Sequence, residues 1–349
     1  MKISSAKKKI KILVTGSAGF MGSHLYDYLA AQGHEVYGVD DLSGGFLRNV
    51  SNKKRFTKLD LRDRKKTGDY IARLKPELIY HLAADATEGR SQFTPYSAVD
   101  RNFVAYVNLL VPAIKAGLKK MVLASSMSVY GAQQVPFHEK MLTQPEDIYG
   151  VSKASMEAMT RILSKVHGFQ YTIVRPHNVY GPRQNLSDPY RNVIGIFINR
   201  LLYNKHFYIY GDGKQKRAFS YIDDVTNAVA SMAFDKKCDG ETFNVGNDYS
   251  CTINELSSLV LRGFFGNDSY HKRFLPKYLP DRPQEVKYAY CAHDNLKRCI
   301  GYSAKTMLPD GIRKMIAWAK TLGAQEFRYL NEMDLSNNLI PKTWKNKLL

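Results

Sequence analysis

Through its first half the chain alternates short apolar runs with stretches of helical spacing. Residues 10–15 form a β-branched run that stops at Gly16, and residues 20–31 then repeat apolar positions at helical intervals. The same reading predicts strands over 35–39, 55–61, 77–83, 120–125 and 171–174, with helices over 64–74, 98–116 and 148–166. Strands separated by helices of this length predict an α/β fold: a doubly wound parallel sheet of Rossmann type, covered on both faces. Ligands of such a sheet sit at the carboxyl ends of its strands.

After Arg175 the alternation breaks. Residues 178–191 are rich in Gly, Pro, Asn and Asp, as in a long loop, and 241–246 reads as one more buried strand. The expected organisation is a sheet domain over 1–180, returning near 221–250, and a smaller mixed α/β lobe, mainly 181–323, interleaved with it. Residues 324–349 form a C-terminal extension to which the pattern assigns no role.

Composition narrows the class. The chain has 349 residues, 44 % of them hydrophobic, which suits a globular protein. It holds no apolar run of about 18 or more residues, so no spanning helix is expected. Residues 1–9 are basic, but Lys11 interrupts the apolar stretch that follows, which reads as a strand and turn rather than a signal peptide. The four cysteines show no CxxC spacing and are expected as reduced thiols in a cytoplasmic protein. No His/Cys spacing suggests a metal site. The net charge of +19 comes from dispersed lysines without a nucleic-acid motif, so a nucleic-acid partner is not expected.

The chemistry begins at Thr15-Gly16-Ser17-Ala18-Gly19-Phe20-Met21-Gly22. Glycines spaced GxxGxxG between a strand and a helix let the backbone approach a pyrophosphate, which then meets free N–H groups at the helix start. Asp40 ends the second strand, about 20 residues further on, where a carboxylate takes ribose hydroxyls and repels a 2′-phosphate. This predicts NAD rather than NADP. Asp60 and Leu61 end the third strand and are placed beside the adenine. Tyr149 and Lys153 are four apart, on one helix face. A Tyr hydroxyl, with a pKa near 10, serves as a base only if nearby positive charge favours the phenolate. Ser126 follows the fifth strand, where its hydroxyl can hydrogen-bond the oxygen that loses its proton.

These pieces occur in order with others: His81-Leu-Ala-Ala, Ser125-Ser-Met-Ser-Val-Tyr-Gly131, Arg175-Pro-His-Asn-Val-Tyr-Gly-Pro182, Gly211-Asp-Gly-Lys-Gln-Lys-Arg217, Tyr221-Ile-Asp-Asp-Val225 and Phe243-Asn-Val-Gly246. The set resembles the NAD-dependent epimerase/dehydratase family over roughly residues 9–323. The resemblance implies catalytic roles for Ser126, Tyr149 and Lys153. It implies cofactor contacts from the glycine turn with Phe20 and Met21, from Asp40, Asp60 and Leu61, from Leu82, Ala83 and Ala84, and again from Tyr149 and Lys153. It implies substrate contacts from Ser126 and Asn178, and diphosphate contacts from Arg217 and Arg282.

Departures lie around the substrate. His177 replaces a frequent aromatic residue, Ala218 a frequent acid, and Arg282-Pro-Gln-Glu a frequent Arg-x-Gly-Glu. Glu88 is unusual where family members approach the sugar; it reads either as a group on a sugar hydroxyl or as a loop carboxylate. Dehydratases of the family carry Asp-Glu where this chain has Met127-Ser128, which argues against dehydration and, less strongly, against decarboxylation. The expectation is 4-epimerisation of a UDP-sugar through a transient 4-keto intermediate. A decarboxylase, dehydratase or 4-keto reductase is the alternative. In the family, helices equivalent to 98–116 and 148–166 pair across a two-fold axis, so a homodimer is expected.

Overall fold

The computed structural model describes residues 10–267, 269–281 and 286–349. The basic residues 1–9 and Arg282 therefore lie outside the described residues. Seven strands form one sheet: β1 (Lys11–Thr15), β2 (Glu35–Asp40), β3 (Phe56–Lys58), β4 (Leu78–His81), β5 (Lys120–Ala124), β6 (Gln170–Pro176) and β7 (Glu241–Val245). Their order is β7-β6-β5-β4-β1-β2-β3, and every pairing is parallel. The order reverses between β1 and β4, which opens the crevice where such sheets bind ligands.

Alternation along β1 divides the core. Ile12 and Val14 pack with Leu25, Val122, Val229 and Phe243 on one face, under helices α1 (Phe20–Ala31) and α5 (Ile222–Met232). Leu13 faces the other way, with Ile71, Leu109, Met121, Met156 and Ile173. That face is covered by α2 (Arg64–Leu74), α3 (Ala105–Lys115) and α4 (Ile148–His167). A sheet covered twice must be apolar on both sides, so its strands read as continuous runs.

Two elements differ from expectation. The third strand is shorter than 55–61, because β3 lies at the edge and pairs only with Gly38–Asp40 of β2. Leu59 and Leu61, which carried the apolar signal, are buried beyond the ladder. The single helix expected over 98–116 is helical from Pro95 but widens into a π turn at Val99–Val104 before α3. At that turn the buried Asn102 amide donates to the Ala98 carbonyl at 2.7 Å and accepts from the Asp85 N–H at 3.0 Å. Periodicity does not reveal such a side-chain contact.

A second core gathers helices Val193–Leu202, Ile253–Phe265 and Leu308–Leu322 around Ile198, Phe207, Ile222 and Met315. The C-terminal extension runs back from this region to the cleft. Trp344 is buried against Phe93 and Tyr190, its indole N–H donates to the Pro189 carbonyl at 3.1 Å, and Tyr210 hydrogen-bonds Thr343 at 2.6 Å.

Candidate active site

One cleft of about 1180 Å³ follows the carboxyl ends of β1, β2, β4, β5 and β6. Gly16, Gly19, Phe20, Met21 and Gly22 line it at β1, and Asp40, Asp60 and Leu61 at β2 and β3. Leu82, Ala83 and Ala84 line it at β4, and Glu88, Ser126, Tyr149, Asn178 and Arg217 line its other half.

The glycine turn is tight because nothing larger fits. Gly16 has φ +70, and a Cβ there would sit 2.8 Å from the Ala83 nitrogen; at Gly22 it would sit 2.0 Å from the Gly16 carbonyl oxygen. Gly19 caps α1 without a side chain, so the first-turn N–H groups are left for a ligand anion. Thr15 Oγ1 accepts from the Leu82 and Ala83 N–H groups at 3.2 and 3.1 Å, tying the ends of β1 and β4 together. Asp40 accepts from the Ala18 N–H at 3.0 Å and the Leu42 N–H at 2.7 Å. Burial pushes its carboxyl above the usual carboxylate range, against the pull of those two N–H groups. It thus shapes the loop and still lines the cleft. Asp60 pairs with Arg62 at 2.6 Å, and Asp41 with Arg101 at 3.1 Å.

At the other half, Asp147 starts α4 by accepting from the Gly150 N–H at 2.7 Å, which fixes where Tyr149 and Lys153 project. Tyr149 is buried and hydrogen-bonded to Ser126. Burial, then the neighbouring Glu88 charge, pushes its hydroxyl well above 10, so the protein's own groups hold it as a phenol. Lys153 donates to the Ala124 carbonyl at 2.6 Å with its ammonium 5.7 Å from the Tyr149 ring centroid. Burial brings Lys153 down to about 7. Ser126 Oγ accepts from the Ser128 N–H at 3.1 Å, which leaves its own hydrogen for an acceptor in the cleft.

The family model described as "NAD dependent epimerase/dehydratase family" matches residues 12–246. The chain belongs to that family. The UDP-glucose 4-epimerase of Mycolicibacterium smegmatis is 34 % identical, over 88 % of this chain and 97 % of its own length. UDP-glucuronic acid decarboxylase 1 of Danio rerio is 30 % identical, over 98 % of this chain and 78 % of its own. The UDP-glucose 4-epimerase of Thermotoga maritima, solved with UDP-glucose, superposes with a TM-score of 0.82 at 33 % identity, covering 90 % of this chain and 99 % of that one. The family's cofactor is NAD, and the glycine turn, the bare N-terminus of α1 and Asp40 fit it.

Beside the family's Ser, Tyr and Lys the structure brings Glu88 and Ser128, both noted in the sequence, together with Asp147 and Arg191, to which the sequence did not point. Ser128 Oγ donates to Asp147 Oδ2 at 3.2 Å, and the same hydroxyl meets the Glu88 carboxylate. Glu88 is exposed on the cleft wall; the protein packed around its carboxyl, then the Asp147 charge, pushes it above the usual carboxylate range. Arg191 lines the same region, pairs with Asp188 at 2.7 Å and donates to the Ala86 carbonyl at 3.2 Å. Arg191 sits in the loop after β6, where spacing carries no signal. Asn178 takes a left-handed φ of +41, and its amide donates to the Ala218 carbonyl at 2.9 Å. Arg217 lies on a short strand, with its guanidinium donating to the carbonyls of Lys216, Val286 and Lys287. The buried His177 stacks on His293, which is held by Asp248 at 2.7 Å, and so is turned away from the cleft residues.

Proposed function

We propose that this protein is a UDP-sugar 4-epimerase that keeps NAD bound through its cycle. The observation that carries the reading is Tyr149, hydrogen-bonded to Ser126 and neighboured by Lys153, on the wall of a cleft whose other half is the glycine turn. Gly16, Gly19, Gly22 and Asp40 would hold the dinucleotide, with Leu82, Ala83 and Ala84 alongside it. The chemistry that a bound NAD would supply is reversible hydride acceptance from C4. Ser126 orients the C4 hydroxyl by hydrogen bonding, and Tyr149 takes its proton and gives it back. Lys153, if protonated, supplies positive charge beside the phenol and offsets the burial that disfavours phenolate. Asn178 would contact the nucleotide sugar, and Arg217 and Arg282 would hold the diphosphate; the planar guanidinium fork suits its oxyanions.

Turnover in D₂O tests this. A 4-epimerase returns its hydride, so the product keeps the substrate's mass and gains no carbon-bound deuterium. The Glu88 carboxyl against Ser128 favours a second reading, in which an acid or base acts at carbon. Loss of carbon dioxide or water, or deuterium at C3 or C5, would replace the first reading with the second.

The same proposal includes a homodimer. Val99, Val104 and Val111 are exposed along the helical stretch through α3, and Val151, Ile162 and Val166 along α4. An apolar face of this kind on two neighbouring helices suits pairing with a second copy. A monomeric mass by light scattering at micromolar concentration would refute it.

A further inference from the structure

We propose that Trp344 is a positioning residue for substrate binding: with the tail around it, it spaces the two walls of the cleft's substrate half so that they admit the nucleotide sugar. The inference rests on the reading of the cleft as a UDP-sugar site. One wall is the segment after β4, where Gly89, Phe93 and Thr94 line the cleft. The other is the segment after β6, where Ser187, Pro189 and Tyr190 line it. The Trp344 indole stands between them. A Cβ added at Gly89 would sit 3.4 Å from it. Phe93 meets it edge-on at 6.4 Å between ring centroids, and Tyr190 at 5.2 Å. Its N–H donates to the Pro189 carbonyl at 3.1 Å.

The rest of the tail is fastened to the same two walls. On the first, the Leu335 N–H donates to the Phe93 carbonyl at 3.1 Å, and Asp334 accepts from the Tyr96 N–H at 3.0 Å. On the second, the Arg328 N–H donates to the Ser187 carbonyl at 2.8 Å, and the Leu330 N–H to the Tyr190 hydroxyl at 2.7 Å. A third tie reaches the strand that leads to Arg217. There Thr343 Oγ1 and the Tyr210 hydroxyl lie 2.6 Å apart, and the Thr343 N–H donates to the same hydroxyl at 3.2 Å. The Tyr210 carbonyl in turn accepts from the Gln215 amide at 3.0 Å, two residues before Arg217.

Packing makes the indole a spacer. Phe93, Tyr190, Thr343 and Trp344 are all buried. A small residue at 344 would leave a void that its neighbours close only in part, so the walls would shift toward one another. The walls also touch directly, where the Arg90 guanidinium lies 4.9 Å over the Tyr190 ring and Arg191 donates to the Ala86 carbonyl at 3.2 Å. Neither of those contacts reaches Tyr210, which the tail alone joins to both walls among the contacts named here. The tail bonds named above go neither to the glycine turn nor to Ser126, Tyr149 and Lys153. Its effect therefore falls on where the nucleotide sugar sits, and not on the cofactor or on proton transfer.

The test compares the full-length, NAD-loaded protein with its Trp344→Ala variant. Titration with UDP and UDP-glucose gives affinity, turnover gives kcat and KM, and heat-released cofactor gives NAD content. Trp344→Ala should bind UDP and UDP-glucose about tenfold more weakly, or worse. KM should rise in step, while kcat stays within about threefold and NAD content is unchanged. Unchanged affinity, a fall in kcat with affinity kept, or a parallel loss of NAD would overturn the proposal. Trp344→Phe keeps a ring between the walls and loses the N–H on Pro189, so it should recover most of the affinity. If it binds as weakly as Trp344→Ala, the spacer role is wrong. If Trp344→Ala does not fold, Thr343→Val, which keeps the shape and removes the hydroxyl from Tyr210, should raise KM with kcat kept; an unchanged KM would overturn the proposal. Binding that depends on Trp344 without epimerisation would defeat the reaction proposed above and leave this assignment standing.

Discussion

Glu157 and Arg175 offer the sharpest test of the scaffold beneath the active site. Glu157 is 0 % and Arg175 2 % exposed, and the guanidinium reaches both carboxylate oxygens, at 2.8 and 2.6 Å. Ser125 also donates to Glu157, at 2.6 Å, so the pair anchors the residue next to Ser126. Replacing Glu157 by Gln keeps the shape and removes the charge. The amide nitrogen then points a donor at a guanidinium that is all donors, and the Arg175 cation is left buried. Breaking such a pair costs about 3–5 kcal/mol. For a chain of this size that corresponds to a fall of about 4–7 °C in Tm. Scanning calorimetry of wild type, Glu157→Gln and the double variant Glu157→Leu/Arg175→Met measures it. The double variant should recover most of the loss, because it buries no charge. Burial alone would raise the Glu157 carboxyl, but Arg175 outweighs it and holds the group below its ordinary value. Stability from the pair is therefore present above an unfolded carboxyl pKa of about 4.3 and is lost as pH falls through the lower folded value. The gap between wild type and Glu157→Gln should be level at neutral pH and shrink in acid. A fall of less than about 2 °C, or a double variant no better than the single, would refute the buried-charge argument.

Three further outcomes are expected. Tyr149→Phe should keep its fold and NAD but lose turnover by about 10²–10⁴, the range for removing a general base; a loss below tenfold would mean another group takes the proton. Protein purified and heat-denatured should release NAD(H) rather than NADP(H), because Asp40 lines the ribose end while Arg62 and Arg101 are paired with Asp60 and Asp41; tighter binding of NADP would sink the Asp40 argument. Glu88→Gln should stabilise the protein increasingly as pH rises from about 4.3, the unfolded carboxyl value, to the folded value of about 7. A raised folded pKa means that through this window the unfolded state has released its proton while the folded state still holds it, so wild type loses stability as pH rises and levels off above the folded value. A pH-independent difference between the two proteins would contradict the raised carboxyl of Glu88.

The sheet was legible because its strands are buried on both faces and its helices keep regular spacing. Gly16, Asp40, Tyr149 and Lys153 were legible because each belongs to a short spacing with a physical purpose. The π turn was not, since it turns on how Asn102 meets Ala98 and Asp85. The setting of Glu88 was not, because Ser128, Asp147 and Arg191 come from three separate segments. The sequence offered residue 88 either as a group on a sugar hydroxyl or as a loop carboxylate, and the fold supplied its neighbours on the cleft wall. Met127 and Ser128 were read as removing acid–base chemistry from the sugar end. The structure sets Glu88 against Ser128, so the absence of an acidic side chain at 127 and 128 does not make that end of the cleft neutral.

The tail makes the order of synthesis matter. Gly16, the first corner of the cleft, is translated long before Trp344, which lies beside Gly89 on the opposite wall. A growing chain folds from its N-terminal end. The dinucleotide half can therefore take shape on the ribosome while the sugar half still lacks its brace. Trp344 can reach Pro189 and Tyr190 only after its own segment has left the ribosome. Leu349 is held in the same way, because its N–H donates to the Tyr329 hydroxyl at 3.0 Å and it lines the cleft itself.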